Sequence, residues 1–484
     1  MVFSSYLFLF YLLPLALIGY YAVPRRAKQL VLVLFSYLFY GWANPLFLLL
    51  LLGTTLIDYA AGLVIARSDG VLVGRDYVVD PKLPRSRTAK IALAVSIGTS
   101  LSLLAFFKYF NFGAENYDRM VSWIGMPELR LDTALRVTLP LGISFYTFES
   151  MSYAIDVYRG HAYAIRNFID YAAFVSMFPQ LVAGPIIRFA EIADQIRNRT
   201  HTVTKFARGV AFFCLGMSKK VLLANPCGKI ADLAFDAGSL TTLDAWFGVT
   251  AYAFQIYFDF SGYSDMAIGL GLMIGFVFAK NFDSPYKAHS ITEFWHRWHI
   301  SLSTCLRDYL YVPLGGNRKG PARMYVNLFI TMLLGGLWHG ASWNFLIWGG
   351  FHGVLLALER MRGKAALYGR LPAPFRVAAT FTLVLVSWVF FRAADLASAR
   401  EYLGFMFGGG AAGSGSGLLA GLIYQPYYLL MFTSAAVVTW ACPQTWDWTK
   451  TLTWPKAVVV LGLFLLASVL LTTQAYNPFI YFIF

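Results

Sequence analysis

The sequence is poor in charged residues. Only 13% of its 484 residues are charged, whereas 58% are hydrophobic and 17% are aromatic. A typical soluble domain has about 25% charged residues. Apolar stretches long enough to cross a hydrocarbon core, which takes about 20 helical residues, follow one another along the chain. This composition excludes a soluble globular domain and predicts an integral membrane protein surrounded by lipid.

Cysteine is also scarce, and its spacing points to no shared site. The four cysteines, Cys214, Cys227, Cys305 and Cys442, show no C-x-x-C pattern, so neither a disulfide framework nor a structural zinc site is indicated. The net charge of +14 does not come from a basic, aromatic-rich patch of the kind that binds nucleic acid. Basic residues lie beside apolar segments instead, as the positive-inside rule expects. No nucleic acid partner is expected.

The apolar segments predict about ten or eleven transmembrane helices, in a single all-α domain over residues 1–484. One segment, "FVSMFPQLVAGPIIRF", contains Pro179, Gly184 and Pro185 and is predicted to be re-entrant. The glycine-rich piece from Gly408 to Gly417 is predicted to be a flexible loop.

Four carboxylates fall inside apolar sequence: Glu149, Asp156, Asp259 and Asp265. Ionised carboxylates are costly in an apolar surrounding unless they are paired. We therefore expect each of them to face the interior of the helix bundle against Arg or Tyr, as a structural pair.

His339 stands in a long uncharged stretch. No Asp, Glu, Lys or Arg occurs among the thirty-five residues from Met324 to Leu358, and "LLGGLWHGASW" lies in the middle. Glycine-rich backbone at membrane depth is tolerated only where protein or a wet cavity surrounds it, so we predict a broken helix. An ionisable residue at this depth is a candidate functional group. The alternative is a neutral histidine hydrogen-bonded in a helix interface.

The stretch "EFWHRWHISLSTCLRDYLYVPLGGNRKG" interleaves charged and aromatic residues. On a single helix, one face would carry His296, His299, Ser303 and Arg307. An amphipathic element dipping into the cytoplasmic half of the membrane would explain this pattern, with His299 facing His339 across a pore. The two histidines at i and i+3 could also hold a metal. Because the H-E-x-x-H pattern and a third ligand are lacking, no metal site is expected.

These motifs carry a resemblance. "ITEFWHRWHISLSTCLRDYLYVPLGGNRKG", followed by "LGGLWHGASW", resembles the membrane-bound O-acyltransferases, and in particular their bacterial alginate-acetylating branch. Other motifs, such as "LPLGISFYTFESMSYAIDVYRG" and "YFDFSGYSDMAIGLGLM", extend the similarity over nearly the whole chain. The resemblance implies a ring of helices around a central tunnel, with a re-entrant catalytic region at about residues 280–350. It also implies that His339 is catalytic and His299 is its companion, while His296 departs from the family pattern.

The resemblance further implies an acyl donor on the cytoplasmic side. We expect acetyl-CoA, whose phosphates would suit Arg307, Arg318 and Lys319, and no resident cofactor. The expected donor-binding residues are Arg297, Ser303, Arg307, Asp308, Asn317, Arg318, Lys319 and Trp338. For Arg297, Arg318 and Lys319, anchoring at the membrane interface is an equally good explanation.

Acyl transfer to a hydroxyl needs a base and donors for the oxyanion. A neutral imidazole at His339 can take the hydroxyl proton, whereas His299 either orients the substrate or stabilises the oxyanion. Backbone N–H groups around Gly335, Gly336 and Gly340 could stabilise it as well.

The function expected from the resemblance is O-acetyl transfer in the bacterial inner membrane. The acetyl group would cross the membrane for O-acetylation of an exopolysaccharide such as alginate, through a periplasmic SGNH-type partner. The alternatives are the same fold acting on another polymer, such as cellulose or teichoic acid, and a transporter of lipid-linked substrates. A transporter would show inverted repeats and ion sites.

Overall fold

The computed structural model describes residues 2–74, 76–131, 136–363, 366–409, 416–474 and 476–479. Most of the predicted glycine-rich loop therefore lies outside the described residues. The chain divides into two compact units, Met1–Gly209 with Ala267–Ala279, and Val210–Met266 with Lys280–Phe484.

Helices make up nearly all of the secondary structure in the described ranges. In chain order, the α-helices are α1 (Leu13–Ala22), α2 (Lys28–Gly41), α3 (Pro45–Asp69), α4 (Arg87–Trp123), α5 (Ile143–Arg159), α6 (Phe168–Ser176), α7 (Phe189–Asn198), α8 (Val203–Ser218), α9 (Asn225–Phe235), α10 (Thr242–Met273), α11 (Ile291–Arg297), α12 (Ile300–Leu306), α13 (Pro321–His339), α14 (Trp343–Met361), α15 (Ala373–Arg392), α16 (Leu396–Met406), α17 (Ser416–Ile423), α18 (Pro426–Trp440), α19 (Thr445–Trp448) and α20 (Trp454–Thr473).

Shorter elements supplement the α-helices. Three π-helical segments are Phe8–Leu12, Lys219–Ala224 and Arg307–Tyr311, and three 3₁₀ turns are Arg25–Ala27, Pro127–Leu129 and Pro285–Lys287, counted over the described residues. One antiparallel hairpin joins β1 (Gly70–Val73) to β2 (Asp76–Val79). The prediction of an all-α protein is confirmed.

Four of the described helices, α3, α4, α15 and α20, are long and apolar enough to cross a bilayer. The pair α17 and α18, bent by 62° at a short break, would be a fifth span. Several such helices confirm a multi-pass membrane protein. The total of ten or eleven crossings, the ring and the tunnel stay predictions.

The two interrupted segments are broken in the structure. Helix α6 ends at Ser176 and α7 begins at Phe189; between them the chain turns, and nearly every residue is buried. Irregular backbone is thus covered by protein, as an apolar environment requires.

The uncharged stretch around His339 forms two antiparallel helices, α13 and α14, of 19 residues each. At 1.5 Å per residue, each is about 28 Å long. They contact closely at Gly336 and Gly349, where a Cβ on Gly336 would lie 2.2 Å from the Phe345 carbonyl oxygen. Only residues without a side chain allow the two backbones to approach this closely.

The carboxylates in apolar sequence make polar contacts, and two of them pair with lysines. Asp259 lies 2.8 Å from Lys220, and Asp265 lies 2.7 Å from Lys219. Glu149 accepts hydrogen bonds from a backbone N–H and a glutamine amide, and Asp156 accepts one from a backbone N–H. Their expected structural role fits these contacts, whereas the Arg or Tyr partner expected for Glu149 and Asp265 was wrong. The reason is that the π-helical segment after α8 brings two lysines to α10.

Candidate functional site

A cavity of about 480 Å³ lies within the second unit, lined by residues of α11, α12, the π-helical segment Arg307–Tyr311, α13 and α14. Arg307 and His339 both line it. The side chain of Arg307 is 61% exposed, whereas His339 is 5% exposed. The cavity therefore runs from the protein surface to a buried end at His339.

His339 is the last residue of α13, and it is enclosed by aromatic rings. The ring centroids of Trp338, Trp348 and Phe391 lie 4.9, 5.1 and 5.2 Å from that of His339. The helix stops there because Gly340 adopts an extended conformation. The negative end of the helix dipole stabilises a positive charge by about 0.3–1 kcal/mol. A proton taken up by this imidazole is thereby stabilised, which suits a general base.

His299 occupies the break between α11 and α12. Its φ is +43°, a value rare for a residue other than glycine, and its side chain is fully buried. The single helix expected over this stretch was wrong, because the chain turns sharply at His299. As a result, His296 is exposed and lines the cavity, whereas His299 is buried and is not among the described residues that line it.

Trp338 is the side chain that the two imidazoles share. Its ring centroid lies 6.2 Å from that of His299 and 4.9 Å from that of His339. The structure thus brings both predicted histidines to one indole. His299 is not part of the cavity lining that the described residues define.

Two of the expected donor-binding residues, Ser303 and Arg307, line the cavity together with His339. Asp308 contacts the guanidinium of Arg307 at 2.7 Å. An anion bound at Arg307 would compete with this exposed ion pair, which is worth at most about 1 kcal/mol.

The other expected donor-binding residues lie outside the lining given by the described side chains. Arg297 is held by Glu293 at 2.8 Å. Asn317 accepts a hydrogen bond from the hydroxyl of Tyr311, and Arg318 donates to a backbone carbonyl at 3.1 Å. Lys319 is exposed on the same turn. The contacts of Asn317 and Arg318 stabilise the loop between the π-helical segment and α13, whereas the Arg297–Glu293 pair lies on α11.

Two further basic residues line the cavity, and sequence reasoning did not select them. His296 departs from the family pattern. Arg360 lies near the end of α14, over fifty residues from Arg307 along the chain. The one available signal for Arg360 was its position just after the uncharged stretch. With Arg307, these side chains form a basic group along one cavity.

Glu359, which adjoins Arg360, anchors the start of α11. Its buried carboxylate accepts hydrogen bonds from the backbone N–H groups of Ile291 and Thr292 at 2.9 and 2.8 Å. A carboxylate at a helix N-terminus satisfies unpaired donors and is stabilised by the helix dipole. The position of α11, and hence of His296, is therefore tied to α14.

His352, one turn after Trp348 on α14, is a structural histidine. Its Nδ1 accepts from the Trp295 indole at 3.3 Å, and its Nε2 lies 3.1 Å from the Ser387 hydroxyl. Both nitrogens of this buried imidazole are occupied. Within the described residues, no three His, Cys, Asp or Glu side chains are grouped to hold a metal.

All the lining residues lie within the part of the chain that a known family matches. Residues 89–390 match the membrane-bound O-acyltransferase family. The chain belongs to this family. It is therefore an O-acyltransferase, and its apolar helices make it a multi-pass membrane enzyme.

Several relatives with assigned names are similar over most of their length. "Probable alginate O-acetylase AlgI" of Pseudomonas putida is 45% identical over the whole of both chains. The protein of the same name from Pseudomonas aeruginosa is 48% identical over 89% of this chain and 81% of its own. "Peptidoglycan O-acetyltransferase" of Helicobacter pylori is 36% identical over 84% of this chain and 80% of its own.

Proposed function

We propose that this enzyme takes an acetyl group from acetyl-CoA on the cytoplasmic side of a bacterial inner membrane and passes it across for O-acetylation of alginate. The names and high identity of the alginate O-acetylase relatives support the polymer. A periplasmic SGNH-type acetyltransferase is the proposed partner that receives the group and delivers it.

The observation that carries the proposal is the course of the cavity from exposed Arg307 to buried His339. A donor with phosphates at one end and a thioester at the other matches this layout. Charge-assisted bonds from guanidinium groups suit phosphate oxygens, and Arg307 and Arg360 provide two such groups. The acetyl thioester would then lie at the aromatic end, where bulk water is excluded and hydrolysis is suppressed.

In the proposed reaction, the acceptor hydroxyl oxygen attacks the thioester carbonyl carbon. His339 takes the hydroxyl proton as the new C–O bond forms. The tetrahedral oxyanion then collapses, the C–S bond breaks, and the departing thiolate takes the proton from the imidazolium. The products are an acetyl ester and free CoA thiol, so atoms and charges balance. General-base catalysis of this kind contributes about 10²- to 10⁴-fold.

The test is acetyl transfer by purified protein in lipid vesicles, using radiolabelled acetyl-CoA with and without the SGNH-type partner and alginate. His339→Ala should reduce transfer by about 10²- to 10⁴-fold with normal protein yield. His161→Ala, at an exposed histidine of the first unit, serves as the matched control and should retain wild-type transfer. Full activity of His339→Ala would show that His339 is not the general base.

The substrates in the same assay separate the alternatives. Labelled peptidoglycan or cellulose in place of labelled alginate would identify another polymer as acceptor. Absence of any acetyl-CoA turnover would favour a transporter and overturn the proposal.

A further inference from the structure

The side-chain amide of Asn281 has a defined orientation. Its Oδ1 accepts from the backbone N–H of Ser301 at 3.2 Å and from the Ser301 hydroxyl at 2.8 Å. Its Nδ2 donates to the hydroxyl of Ser264 at 3.0 Å. A backbone N–H can only donate, so the amide atom beside it must be the oxygen.

This orientation determines which nitrogen of His299 carries the proton. Nδ1 of His299 lies 3.2 Å from the same Asn281 oxygen and 3.4 Å from the hydroxyl of Ser301, which gives its hydrogen to Asn281 in the shorter contact of 2.8 Å. An amide oxygen has no hydrogen to give, so Nδ1 must donate, and the Nε2 of the neutral ring is then the unprotonated nitrogen. Nε2 is buried and has no hydrogen-bond partner among the described residues.

The backbone holds His299 in this position as well. The carbonyl of Asn281 accepts from the N–H of Ile300 at 2.9 Å, and the N–H of Asp283 donates to the Arg297 carbonyl at 2.9 Å. These two bonds flank the residue with φ of +43°. A non-glycine residue in this region costs about 1–3 kcal/mol and persists where the surroundings enforce it, often at functional sites.

Uncharged groups surround the ring. The ring centroids of Phe260, Phe282 and Trp338 lie 4.6, 6.5 and 6.2 Å from that of His299. Asn281 and Ser301, its hydrogen-bonding neighbours, are neutral too. No ionisable side chain of the described residues contacts the imidazole in these interactions, so nothing stabilises a second proton on it.

We propose that Asn281 is a positioning residue of acyl transfer. It holds His299 with Nε2 as a hydrogen-bond acceptor that orients the incoming hydroxyl before the hydroxyl turns its proton to His339. The inference rests on the proposed function. It also decides between the two roles left open for His299, because a ring whose only N–H is held by Asn281 cannot donate to an oxyanion. Since Nε2 is closed to solvent, the hydroxyl reaches it after a neighbouring ring moves. Trp338 is the ring that His299 shares with His339.

The first test is spectroscopic and independent of activity. Protein labelled with ¹⁵N-histidine in lipid should show a His299 signal, assigned by its loss in His299→Gln, with a protonated Nδ1 and an unprotonated Nε2 at neutral pH. Asn281→Leu, which is similar in size but lacks the acceptor, should lose this single tautomer. A protonated Nε2 in the wild type would overturn the proposal.

The second test is kinetic. Asn281→Leu should lower kcat about 100-fold, the loss expected when a substrate is misplaced by about 1 Å, with little change in the KM for acetyl-CoA. Asn281→Asp places a carboxylate against Nδ1, which strengthens proton binding at His299. The acid limb of its pH–rate profile should therefore move about 1–3 units to higher pH. If the acid limb of the Asn281→Asp profile is unchanged, Asn281 does not act on the protonation of His299 and only packs against it.

Asn327→Asp is the matched control, since Asn327 is also buried and donates to the Gly316 carbonyl at 3.1 Å. The acid limb of the pH–rate profile of Asn327→Asp should stay at the wild-type pH when rates are expressed per mole of folded protein. If the wild type transfers no acetyl group, the proposed function fails, while the tautomer measurement still confirms or rejects the Asn281–His299 contact.

Discussion

Helices α13 and α14 contact each other so closely at Gly336 that adding one methyl group there should lower the rate of acyl transfer strongly. In Gly336→Ala, the new Cβ would lie 2.2 Å from the Phe345 carbonyl oxygen and 3.1 Å from the Cα of Gly349. Both atoms belong to the backbone of α14, so rotation of a side chain cannot relieve the overlap. The helices must separate.

The size of the effect follows from that distance. Restoring an ordinary contact requires a shift of about 1 Å, and overpacking of this kind costs about 1–3 kcal/mol. Alanine recovers about 1 kcal/mol through its higher helix propensity, so the net loss of stability is modest. His339 lies three residues further along α13, and a displacement of about 1 Å at a reacting group can lower the rate about 100-fold. Gly336→Ala should therefore lower the rate about 100-fold, while the free energy of unfolding falls by no more than about 2 kcal/mol.

Gly350 provides the matched control on the same pair of helices. A Cβ there would meet only side-chain atoms of Leu333 and Phe329, at 3.8 Å or more. Gly350→Ala should keep wild-type acetyl transfer and melt at the same or a higher temperature. Transfer per mole and thermal unfolding in detergent measure both quantities. If Gly336→Ala proved as active as Gly350→Ala, the close helix contact would not be what positions His339.

Two further changes test the surroundings of the cavity. Glu359→Gln puts an amide N–H against the backbone donors at the start of α11. Chemical denaturation should show a loss of stability of about 1–3 kcal/mol. An unchanged denaturation midpoint would show that α11 does not depend on this contact. Arg307→Glu should raise the KM for acetyl-CoA, whereas Arg318→Glu, on the exposed turn outside the cavity, should change it little. Equal effects of the two reversals would place the donor phosphates across both residues.

Composition and spacing are sufficient to predict the fold class. In lipid, each apolar segment must form its own backbone hydrogen bonds, so an apolar segment of sufficient length is predicted to be a helix. Low charge, apolar length and glycine or proline within the runs predicted helices and the breaks near Pro179 and Gly340. The uncharged stretch, where we predict one broken helix, forms two full helices. In the structure both helices extend into charged sequence at their ends, where Arg323 and Glu359 belong to α13 and α14.

The site was predicted less completely, because its geometry depends on one backbone angle. Periodicity placed His296 and His299 on one helical face, but the left-handed conformation of His299 sends the two side chains in different directions. Propensity rules do not foresee a positive φ at histidine. Arg360 is over fifty residues from Arg307 along the chain, and Asn281 lies outside the motif, ten residues before its first residue, Ile291. Tertiary packing brings Arg360 to the cavity and Asn281 to His299.

Burial also explains why imidazoles, rather than carboxylates, are suited to carry the proton in this protein. Among the described residues, the buried carboxylates are Asp58, Glu149, Asp156, Asp244, Asp259 and Glu359, and each is bound to donors or to a lysine. An ionised carboxylate is costly to bury without such partners, and the partners that stabilise its charged form also make it a weaker base. A neutral imidazole can be buried with partners at one nitrogen, as the contacts of His299 Nδ1 with Asn281 and Ser301 show, and it keeps a second nitrogen for the reaction. An enzyme that accepts a proton inside an apolar interior is therefore best served by histidine.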